Sequence, residues 1–448
     1  MRVWHVRKGA EAKIRKGYPW LFSNELAHSP KEAEPGEAIE LRDFTDAPLA
    51  FGYGHPHSLI AFRTLTHGPQ PWHGSLEDLL LNRLQRAAGL RRRLGLAGVS
   101  HRLCFAEADS LPGLIVDRYR IGAAEPATGA PEQVLAVQVS TAGMDRALPH
   151  LLRALERLVA EQSAAGGIAW ERTALLLDKG TTLRALEELP VLPKVWQRLP
   201  PGAWDGTQPT PILVAAGLGR GEPLPFSVDF LGGQKTGFFL DHSGNLGLAT
   251  DLLGAWLGGA ASGGTRSGAA PPATLRVLDL FCYVGQWGAV LARAAARQGV
   301  ATEVLAVDAS ERSLELARHN VPAVVAALGS AGQAAATVQT ERRDILESLE
   351  GVPPGFDVVV CDPPALVKRR KDLLKSQRAY QKLNREALRR VRPGGLIVTC
   401  SCSGLLGEED FREVLLRAQA QAGRTVQWVV RGGQGLDHPV RAEFPEGR

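Results

Sequence analysis

The sequence predicts an α/β protein whose C-terminal half forms an open parallel sheet, preceded by a β-rich region and a central α+β region. Three observations lead to this fold class. From residue 275 onward, short apolar segments alternate with helical segments, as in sheets built with right-handed crossovers. Before residue 70, short strand-like segments are separated by Pro and Gly, and between about 73 and 215 strand and helix patterns follow one another. We therefore expect three domains, at residues 1–72, 73–215 and 216–448.

Composition narrows the class of protein. The 448 residues are 44% hydrophobic and 22% charged, which is typical of globular proteins too long for a single core. No apolar run approaches the roughly 18 residues of a membrane span, and the N-terminus lacks the apolar centre of a secretory signal. The sequence therefore predicts a cytoplasmic protein without a membrane partner.

Cysteine content and charge give two further expectations. Five cysteines in so long a chain do not form a disulfide framework, and no Cys/His spacing indicates zinc, so no metal is expected. The net charge of +5 permits an anionic partner without requiring one. A homodimer is a further form of the protein to be considered.

The stretch 276–288 carries the first candidate site. An apolar strand runs into Asp279, the chain turns through Gly285, and a helical segment follows. By itself this is equally typical of a nucleotide-type site and of an ordinary strand–helix turn. Phe281 and Tyr283 are too bulky for the glycine loop that binds a pyrophosphate, which disfavours a nicotinamide oxidoreductase. A nucleoside cofactor without phosphates fits better, and this indicates S-adenosylmethionine.

Acidic residues follow the next three predicted strands. Asp308 lies about 20 residues after Gly285, where an acid can bind a ribose hydroxyl. Asp344 could accept a hydrogen bond from an adenine amino group, or could simply cap a short helix. Asp362 begins Asp-Pro-Pro, which resembles the motif of enzymes that methylate a planar nitrogen or a base.

A thiol follows the fifth strand, in Thr399-Cys-Ser-Cys-Ser-Gly404. Methylation of carbon 5 of a pyrimidine needs a nucleophile at carbon 6, because carbon 5 is too weakly nucleophilic by itself, and a cysteine is the usual choice. Cys402 lies in the turn and is the candidate nucleophile, with a buried structural thiol as the alternative. We expect the remaining cysteines of this half to be packed in the interior: Cys282, Cys361 and Cys400.

With these residues in view, the chain resembles the ribosomal RNA cytosine-5 methyltransferases that carry an N-terminal PUA domain. The resemblance rests on motifs along nearly the whole chain: Gly17-Tyr-Pro-Trp-Leu-Phe, Glu107-Ala-Asp-Ser-Leu-Pro-Gly-Leu-Ile-Val-Asp-Arg-Tyr, Gly233-Gln-Lys-Thr-Gly-Phe-Phe-Leu-Asp, the Asp279 loop, Asp362-Pro-Pro, Ser401-Cys-Ser-Gly-Leu and Asp437-His-Pro-Val. It implies a PUA domain, a central α+β domain and a class I Rossmann-like methyltransferase domain. It also implies that Cys402 attacks a cytosine of large-subunit ribosomal RNA. Asp308 would then bind the cofactor ribose and Asp344 would lie near its adenine.

The chain departs from the family pattern at two places. The family continues Phe-Leu-Asp with Gln-Arg and later Asn-Arg, whereas His242, Ser243, Asn245 and Leu246 stand here. The chain also ends where relatives add a final strand, so we expect the sheet to lack that edge and to be less stable. Two alternatives stay open: a guanine-N2 methyltransferase that shares Asp-Pro-Pro, and an RNA-binding protein that has lost catalysis.

Three local patterns complete the expectations. The Gly/Ala-rich segment 258–273 predicts a flexible insertion, because it carries too few apolar side chains to fold. Alternating residues around 226–230 predict a strand, with a second short strand within 232–241. The β-branched segment Val426–Val430 predicts another strand, after the helix at 411–420.

Overall fold

The computed structural model describes residues 1–68, 73–122, 129–215, 217, 222–261, 272–329, 334–367 and 370–445. The chain divides into two compact units. The first comprises residues 1–214, 229–241 and 434–448, and the second comprises 215–228 and 242–433. The predicted insertion at 258–273 lies largely outside the described residues. The predicted boundaries at 72 and 215 stay predictions.

A five-stranded sheet forms the N-terminal part of the first unit. Its elements are β1 (Arg2–His5), α1 (Glu11–Arg15), β2 (Trp20–Phe22), β3 (Glu37–Arg42), β4 (Pro48–Gly54) and β5 (Ile60–His67). The strand order is β1-β3-β4-β5-β2, in which only the β1–β3 pair is parallel. Alternate strand residues such as Ile39 and Leu41 are fully buried, and with Leu21 and Phe62 they build the core of this part.

The remainder of the first unit is a helix-covered sheet. Its elements are α2 (Leu76–Arg93), β6 (His101–Phe105), β7 (Leu114–Ile121), β8 (Gln133–Val139), α3 (Ala142–Arg146), α4 (Leu148–Ala164), β9 (Thr173–Asp178), β10 (Val195–Arg198) and β11 (Thr210–Val214). The strands run in the order β10-β9-β8-β7-β11, and β6 pairs with β7. Leucines at helical spacing on α2, including Leu80 and Leu84, pack with Leu151 and Leu155 of α4 over this sheet.

Two of the sequence motifs meet in a buried polar network of this unit. Asp117, on β7, accepts from the Arg102 guanidinium at 2.8 and 3.0 Å and from the Thr236 hydroxyl at 2.5 Å. Thr236 also bonds the Tyr119 hydroxyl at 2.8 Å. The network fixes segment 229–241 to the sheet, so these motif residues serve the architecture of the unit.

Replacing Asp117 with Ala is expected to lower the free energy of unfolding by about 3–5 kcal/mol, because the buried Arg102 guanidinium loses its counter-charge. Urea denaturation measures the change. Glu156→Ala, which removes an exposed acid from α4, is the matched control and should shift the free energy by less than about 0.5 kcal/mol. Equal midpoints for the two variants would contradict a stabilising role for the network.

The last residues of the chain are bonded into the first unit. The Asp437 carbonyl accepts from Arg91 at 2.8 Å, and its carboxylate accepts from the Arg102 backbone N–H at 2.7 Å. Arg91 is fully buried and also forms a bidentate pair with Asp109. Segment 434–445 therefore completes the hydrogen bonding of groups that lie more than 300 positions earlier in the chain.

The second unit is built on a five-stranded parallel sheet. Its elements are β12 (Leu224–Val228), α5 (Ser243–Ala261), β13 (Thr274–Leu280), α6 (Gln286–Arg297), β14 (Ala301–Asp308), α7 (Glu311–Ala326), β15 (Ala336–Arg342), β16 (Phe356–Cys361), α8 (Leu373–Arg390), β17 (Val391–Thr399) and α9 (Glu408–Ala422). The sheet order is β15-β14-β13-β16-β17. This is the predicted Rossmann-like arrangement, and the fold class is confirmed.

The strand order reverses between β13 and β16. Successive strands move outward from β13 through β14 to β15, whereas β16 pairs on the other side of β13. Right-handed crossovers in opposite directions place helices on opposite faces of the sheet. The carboxyl ends of β13 and β16 therefore border the crevice where ligands bind in such sheets.

Two predicted strands are wrong. Residues 232–241 form turns and a short 3₁₀ segment, because the described hydrogen bonds of this stretch go to side chains and turns. Val426–Val430 is extended without being a strand, and Val429 and Trp428 are exposed. Its β-branched composition favours a strand, but the structure pairs it with no strand in the described part of the chain. Within the described residues, no helix is both long and apolar enough to cross a bilayer.

Candidate active site

The sheet register brings the predicted site residues to one edge. Leu280 of β13 pairs with Val307 of β14 and with Cys361 of β16, and Cys361 pairs with Thr399 of β17. The residues that come next along the four strands therefore lie at the same level, at the carboxyl edge of the sheet. They are Phe281, Asp308, Asp362 and Cys400, and Cys402 follows two residues later.

The turn after β13 has an unusual backbone. Phe281, Tyr283 and Gly285 have φ of 61°, 48° and 78°, so left-handed residues alternate along the turn. A Cβ on residue 285 would lie 3.0 Å from the Cβ of Ala317, and the position therefore favours glycine. Such left-handed conformations in non-glycine residues are costly and cluster at ligand sites.

Asp279 lies fully buried beneath this turn. Its Oδ2 accepts from the Gly288 backbone N–H at 2.9 Å, whereas its Oδ1 is buried without a described hydrogen-bond partner. Burial, and after it the negative charges of Asp362 and Asp308, raise the pKa of Asp279 to about 7, although the donation from Gly288 acts the other way. A buried carboxylate oxygen without a donor is a position where a ligand cation or N–H group would be stabilised.

Asp308 and Asp344 both hold backbone turns. The Asp308 carboxylate accepts from the Tyr283 N–H at 3.0 Å and from the Ser310 N–H at 2.9 Å, so it ties the loop after β13 to the start of α7. Asp344 accepts from the Leu346 N–H at 3.0 Å and so caps a turn at 345–347, where the alternative considered from the sequence was a short helix. The assignment of both residues to a cofactor stays a prediction.

The charge of the crevice indicates what kind of ligand it fits. Asp279, Asp308 and Asp362 lie near enough for the charges of the last two to act on Asp279. Three carboxylates repel a pyrophosphate and attract a cation. S-adenosylmethionine carries a sulfonium and an ammonium group, so the carboxylates and the unpartnered Asp279 Oδ1 fit this cofactor.

Asp362 is the centre of a hydrogen-bonded group. Its Oδ2 accepts from Trp287 Nε1 at 3.0 Å and lies 3.1 Å from His242 Nε2. Its Oδ1 lies 3.9 Å from the Cys402 Sγ, within the reach of a thiol donor. The structure therefore brings the two predicted catalytic residues, Cys402 and Asp362, into contact.

Cys402 differs from the other four cysteines in exposure. It is exposed, whereas Cys104, Cys282 and Cys361 are buried and Cys400 is largely covered. Burial raises the pKa of Cys361 to about 12 and the pKa of Cys400 well above its ordinary value, so these thiols stay protonated at neutral pH. Cys402 is the thiol that a substrate can reach.

The turn that carries Cys402 is fixed by its neighbours. The Ser403 hydroxyl accepts from the Val367 N–H at 3.1 Å and bonds the buried Tyr380 hydroxyl at 2.9 Å. The Thr399 hydroxyl donates to the Asn384 carbonyl oxygen at 2.6 Å. Both ends of the turn are therefore anchored to α8, and the thiol has a defined position.

Three polar groups of the site come close enough to suggest a metal. Potential ligand atoms of His242, Asp362 and Cys400 lie within 4.8 Å of one another. However, Asp362 already accepts from Trp287, and burial keeps the Cys400 thiol protonated, whereas metals bind thiolates. We therefore interpret the cluster as a hydrogen-bonded group, and the expectation that the protein binds no metal stays a prediction.

Sequence reasoning missed two residues of this group. Trp287 lies in the opening stretch, but its indole bond to Asp362 depends on the packing of α6 beside β16. His242 was noted only as a departure from the family pattern. That departure was the available signal in the sequence, because a histidine can donate a hydrogen bond to a carboxylate or exchange a proton with it.

Comparisons with known proteins agree with this geometry. Residues 5–67 match the family model of a PUA-like domain, and residues 273–435 match that of a methyltransferase domain. A solved chain from Streptococcus mutans, described as a SAM-dependent methyltransferase, is 15% identical in sequence but superposes with a TM-score of 0.66, covering 100% of this chain and 97% of that one. This likeness shows the fold.

Curated relatives extend the likeness to nearly the whole chain. The ribosomal RNA large subunit methyltransferase I of Photobacterium profundum is 30% identical over 448 residues, which cover 99% of this chain and 96% of the relative. The protein of the same name from Aeromonas hydrophila is 30% identical over 451 residues, with the same coverage. The chain belongs to the family of ribosomal RNA large subunit methyltransferase I.

Proposed function

We propose that the protein transfers a methyl group from S-adenosylmethionine to carbon 5 of a specific cytosine in large-subunit ribosomal RNA, with Cys402 as the nucleophile. Membership of the family supports the ribosomal RNA substrate. The observation that carries the finer proposal is the exposed Cys402 thiol 3.9 Å from the Asp362 carboxylate, at the carboxyl edge of the sheet. A methyltransferase acting on a base nitrogen, such as N2 of guanine, would have no use for such a thiol.

The Cys402–Asp362 pair supports a specific proton route. As the sulfur bonds to carbon 6 of a flipped-out cytosine, its S–H bond breaks and the proton moves to Asp362 Oδ1. The displaced electron pair of the C5=C6 bond shifts through the ring, and Asp362 delivers the proton to ring nitrogen 3. Carbon 5 becomes enamine-like and nucleophilic. Once carbon 5 carries the methyl group, loss of its proton to a base re-forms the C5=C6 bond as the bond from carbon 6 to the Cys402 sulfur breaks, and the proton on ring nitrogen 3 returns through Asp362 to the departing thiolate.

The cofactor is bound by residues that follow β13, β14 and β15. When bound, S-adenosylmethionine supplies an electrophilic methyl group for carbon 5. Asp279 and the turn containing Phe281, Tyr283 and Gly285 would hold its methionine part. Asp308 would accept from the ribose hydroxyls and Asp344 from the adenine amino group.

The remaining assignments are part of the same proposal. Residues 1–72 would act as a PUA domain that binds RNA, 73–215 as a central domain, and 216–448 as the methyltransferase domain. A cytoplasmic location follows from a ribosomal substrate, and a homodimer is compatible with it.

Covalent trapping tests the nucleophile. With ribosomal RNA that contains 5-fluorocytosine, methyl transfer leaves no removable proton at carbon 5, so we expect a protein–RNA adduct that survives denaturing electrophoresis. Cys402→Ala should form none.

Two outcomes would favour the alternatives. Methylation of unsubstituted RNA without any adduct would favour the guanine-N2 methyltransferase. No binding of S-adenosylmethionine in calorimetry would favour an RNA-binding protein that has lost catalysis. Mapping 5-methylcytosine in large-subunit RNA with and without the gene then locates the target base.

A further inference from the structure

We propose that His242 is a positioning residue whose Nε2–H group holds the Asp362 carboxylate as the acceptor for the Cys402 proton, and that Asn245 fixes the required tautomer. The proposal rests on the function proposed above and adds two residues to its machinery. His242 directly precedes α5 and Asn245 lies in its first turn, and neither residue belongs to the motifs that predicted the site.

The orientation of the Asn245 amide is set by a backbone group. The Gly433 N–H donates to Asn245 Oδ1 at 2.9 Å, which identifies that atom as the oxygen. The amide nitrogen therefore faces the imidazole, with Asn245 Nδ2 3.4 Å from His242 Nδ1. Because an amide nitrogen only donates, Nδ1 must accept, and the ring proton of a neutral imidazole is then on Nε2.

That proton points at Asp362. His242 Nε2 lies 3.1 Å from Asp362 Oδ2, the same oxygen that accepts from Trp287 at 3.0 Å. Two N–H donors thus converge on one carboxylate oxygen and leave Oδ1 facing the Cys402 Sγ at 3.9 Å. Hydrogen bonds to a carboxylate fix its rotation as well as its distance. His242 thereby holds the carboxylate with Oδ1 toward the Cys402 thiol.

Packing makes the arrangement rigid. His242 is 7% exposed, and its ring lies edge-to-face on Trp287 with centroids 5.5 Å apart. The imidazole therefore keeps one orientation relative to Asp362, and a solvent molecule is not needed to connect them.

The chemistry of the contact indicates which replacement should work. A glutamine side chain, like the imidazole, ends in an N–H donor. If donation to Asp362 is what the position requires, Gln should replace His, whereas an apolar side chain of similar size should not. If residue 242 served packing alone, the variant with the apolar side chain should be more active than the variant with Gln.

Exchange of the carbon 5 hydrogen tests the proposal without the methyl donor. Reversible addition of the thiol to carbon 6 lets carbon 5 take up a solvent proton and lose its own, so tritium is released from RNA that carries [5-³H]cytosine. His242→Leu is expected to slow release about tenfold or more, while His242→Gln stays within about threefold of the unaltered protein. His319→Leu, at an exposed position of α7, is the matched control and should release tritium at the unaltered rate.

If His242→Leu folds poorly, a second variant provides an independent test of the proposal. Asn245→Ala removes the donor that fixes the tautomer but leaves the buried ring in place, and we expect a fall of about two- to fivefold in tritium release with an unchanged melting temperature. Unchanged release in Asn245→Ala, or equal rates for His242→Leu and His242→Gln, would overturn the proposal.

The two levels of inference fail in different ways. If the unaltered protein releases no tritium, or if Cys402→Ala releases it equally fast, thiol addition itself is wrong and the proposed function fails. If release depends on Cys402 but not on the identity of residue 242, the function stands and only the role of His242 is rejected.

Discussion

Replacing Cys402 with Ala is expected to reduce methyl transfer by roughly 10⁴-fold or more, the usual cost of removing an enzyme nucleophile. Without the bond to carbon 6, carbon 5 of cytosine is too poor a nucleophile to take the methyl group. Single-turnover transfer from radiolabelled S-adenosylmethionine to ribosomal RNA measures the rate. Cofactor binding and melting temperature should be unchanged, because the side chain is exposed.

Cys400→Ala is the matched control for this experiment. It removes a thiol two residues away, but one that burial keeps protonated, so we expect a change of less than about tenfold. Full activity of Cys402→Ala together with loss of activity in Cys400→Ala would exchange the roles of the two residues. Full activity of both would remove thiol chemistry from the reaction.

The second large effect is expected from Asp279→Asn, and it has opposite signs for binding and for stability. Loss of the carboxylate charge should weaken S-adenosylmethionine binding by about 10- to 100-fold, the usual cost of a charge-assisted hydrogen bond. In the cofactor-free protein the same change should be stabilising at pH 8, since it removes a buried charge.

The pH dependence follows from the raised pKa of Asp279. The folded protein holds this proton up to about pH 7, whereas the unfolded chain releases it near its ordinary value of 3.8. The folded state therefore binds more protons between these values, and the contribution of Asp279 to stability falls as the pH rises through this window. The full cost above pH 7 is up to about 4 kcal/mol.

Chemical denaturation of the cofactor-free protein at pH 4.5 and pH 8 measures this difference. Asp279→Asn should exceed the unaltered protein in stability at pH 8 and approach it at pH 4.5. Glu303→Gln, at an exposed position of β14, is the control and should show no such crossover. If Asp279→Asn is less stable than the unaltered protein at pH 8, the assignment of a buried charge is contradicted.

Cofactor binding by the unaltered protein should also depend on pH. Calorimetry should find weaker binding at pH 6 than at pH 8, because Asp279 is protonated at pH 6.

Most of the site was predictable because it lies at the ends of parallel strands. Once alternating apolar and helical segments indicate a parallel sheet, residues that directly follow each strand must meet at one edge. Asp362 and Cys402 follow β16 and β17, whereas Asp279 and Asp308 are among the last residues of β13 and β14, and the structure places all four near this edge. The helices of the C-terminal half were also predictable, because apolar residues recur along them at helical spacing.

What sequence reasoning missed depends on contacts between distant segments. His242 reaches Asp362 across 120 positions, and nothing in the local pattern of α5 indicates that approach. The short strand β1 begins with an arginine, and β10 is half exposed, so neither carries a strong strand pattern. Conversely, Val426–Val430 has strand composition, but a strand also needs a hydrogen-bonding neighbour, which composition does not supply.

The bonding of Asp437 to Arg91 and Arg102 bears on how the protein folds as it is made. A ribosome delivers the chain from its N-terminus, so residues 1–214 emerge long before segment 434–448, which completes the same unit. Until then the buried guanidinium of Arg91 lacks one of its acceptors. The last strand of the parallel sheet ends at Thr399, well before segment 434–448. The methyltransferase sheet can therefore mature first, and the unit synthesised earliest is the last to be finished.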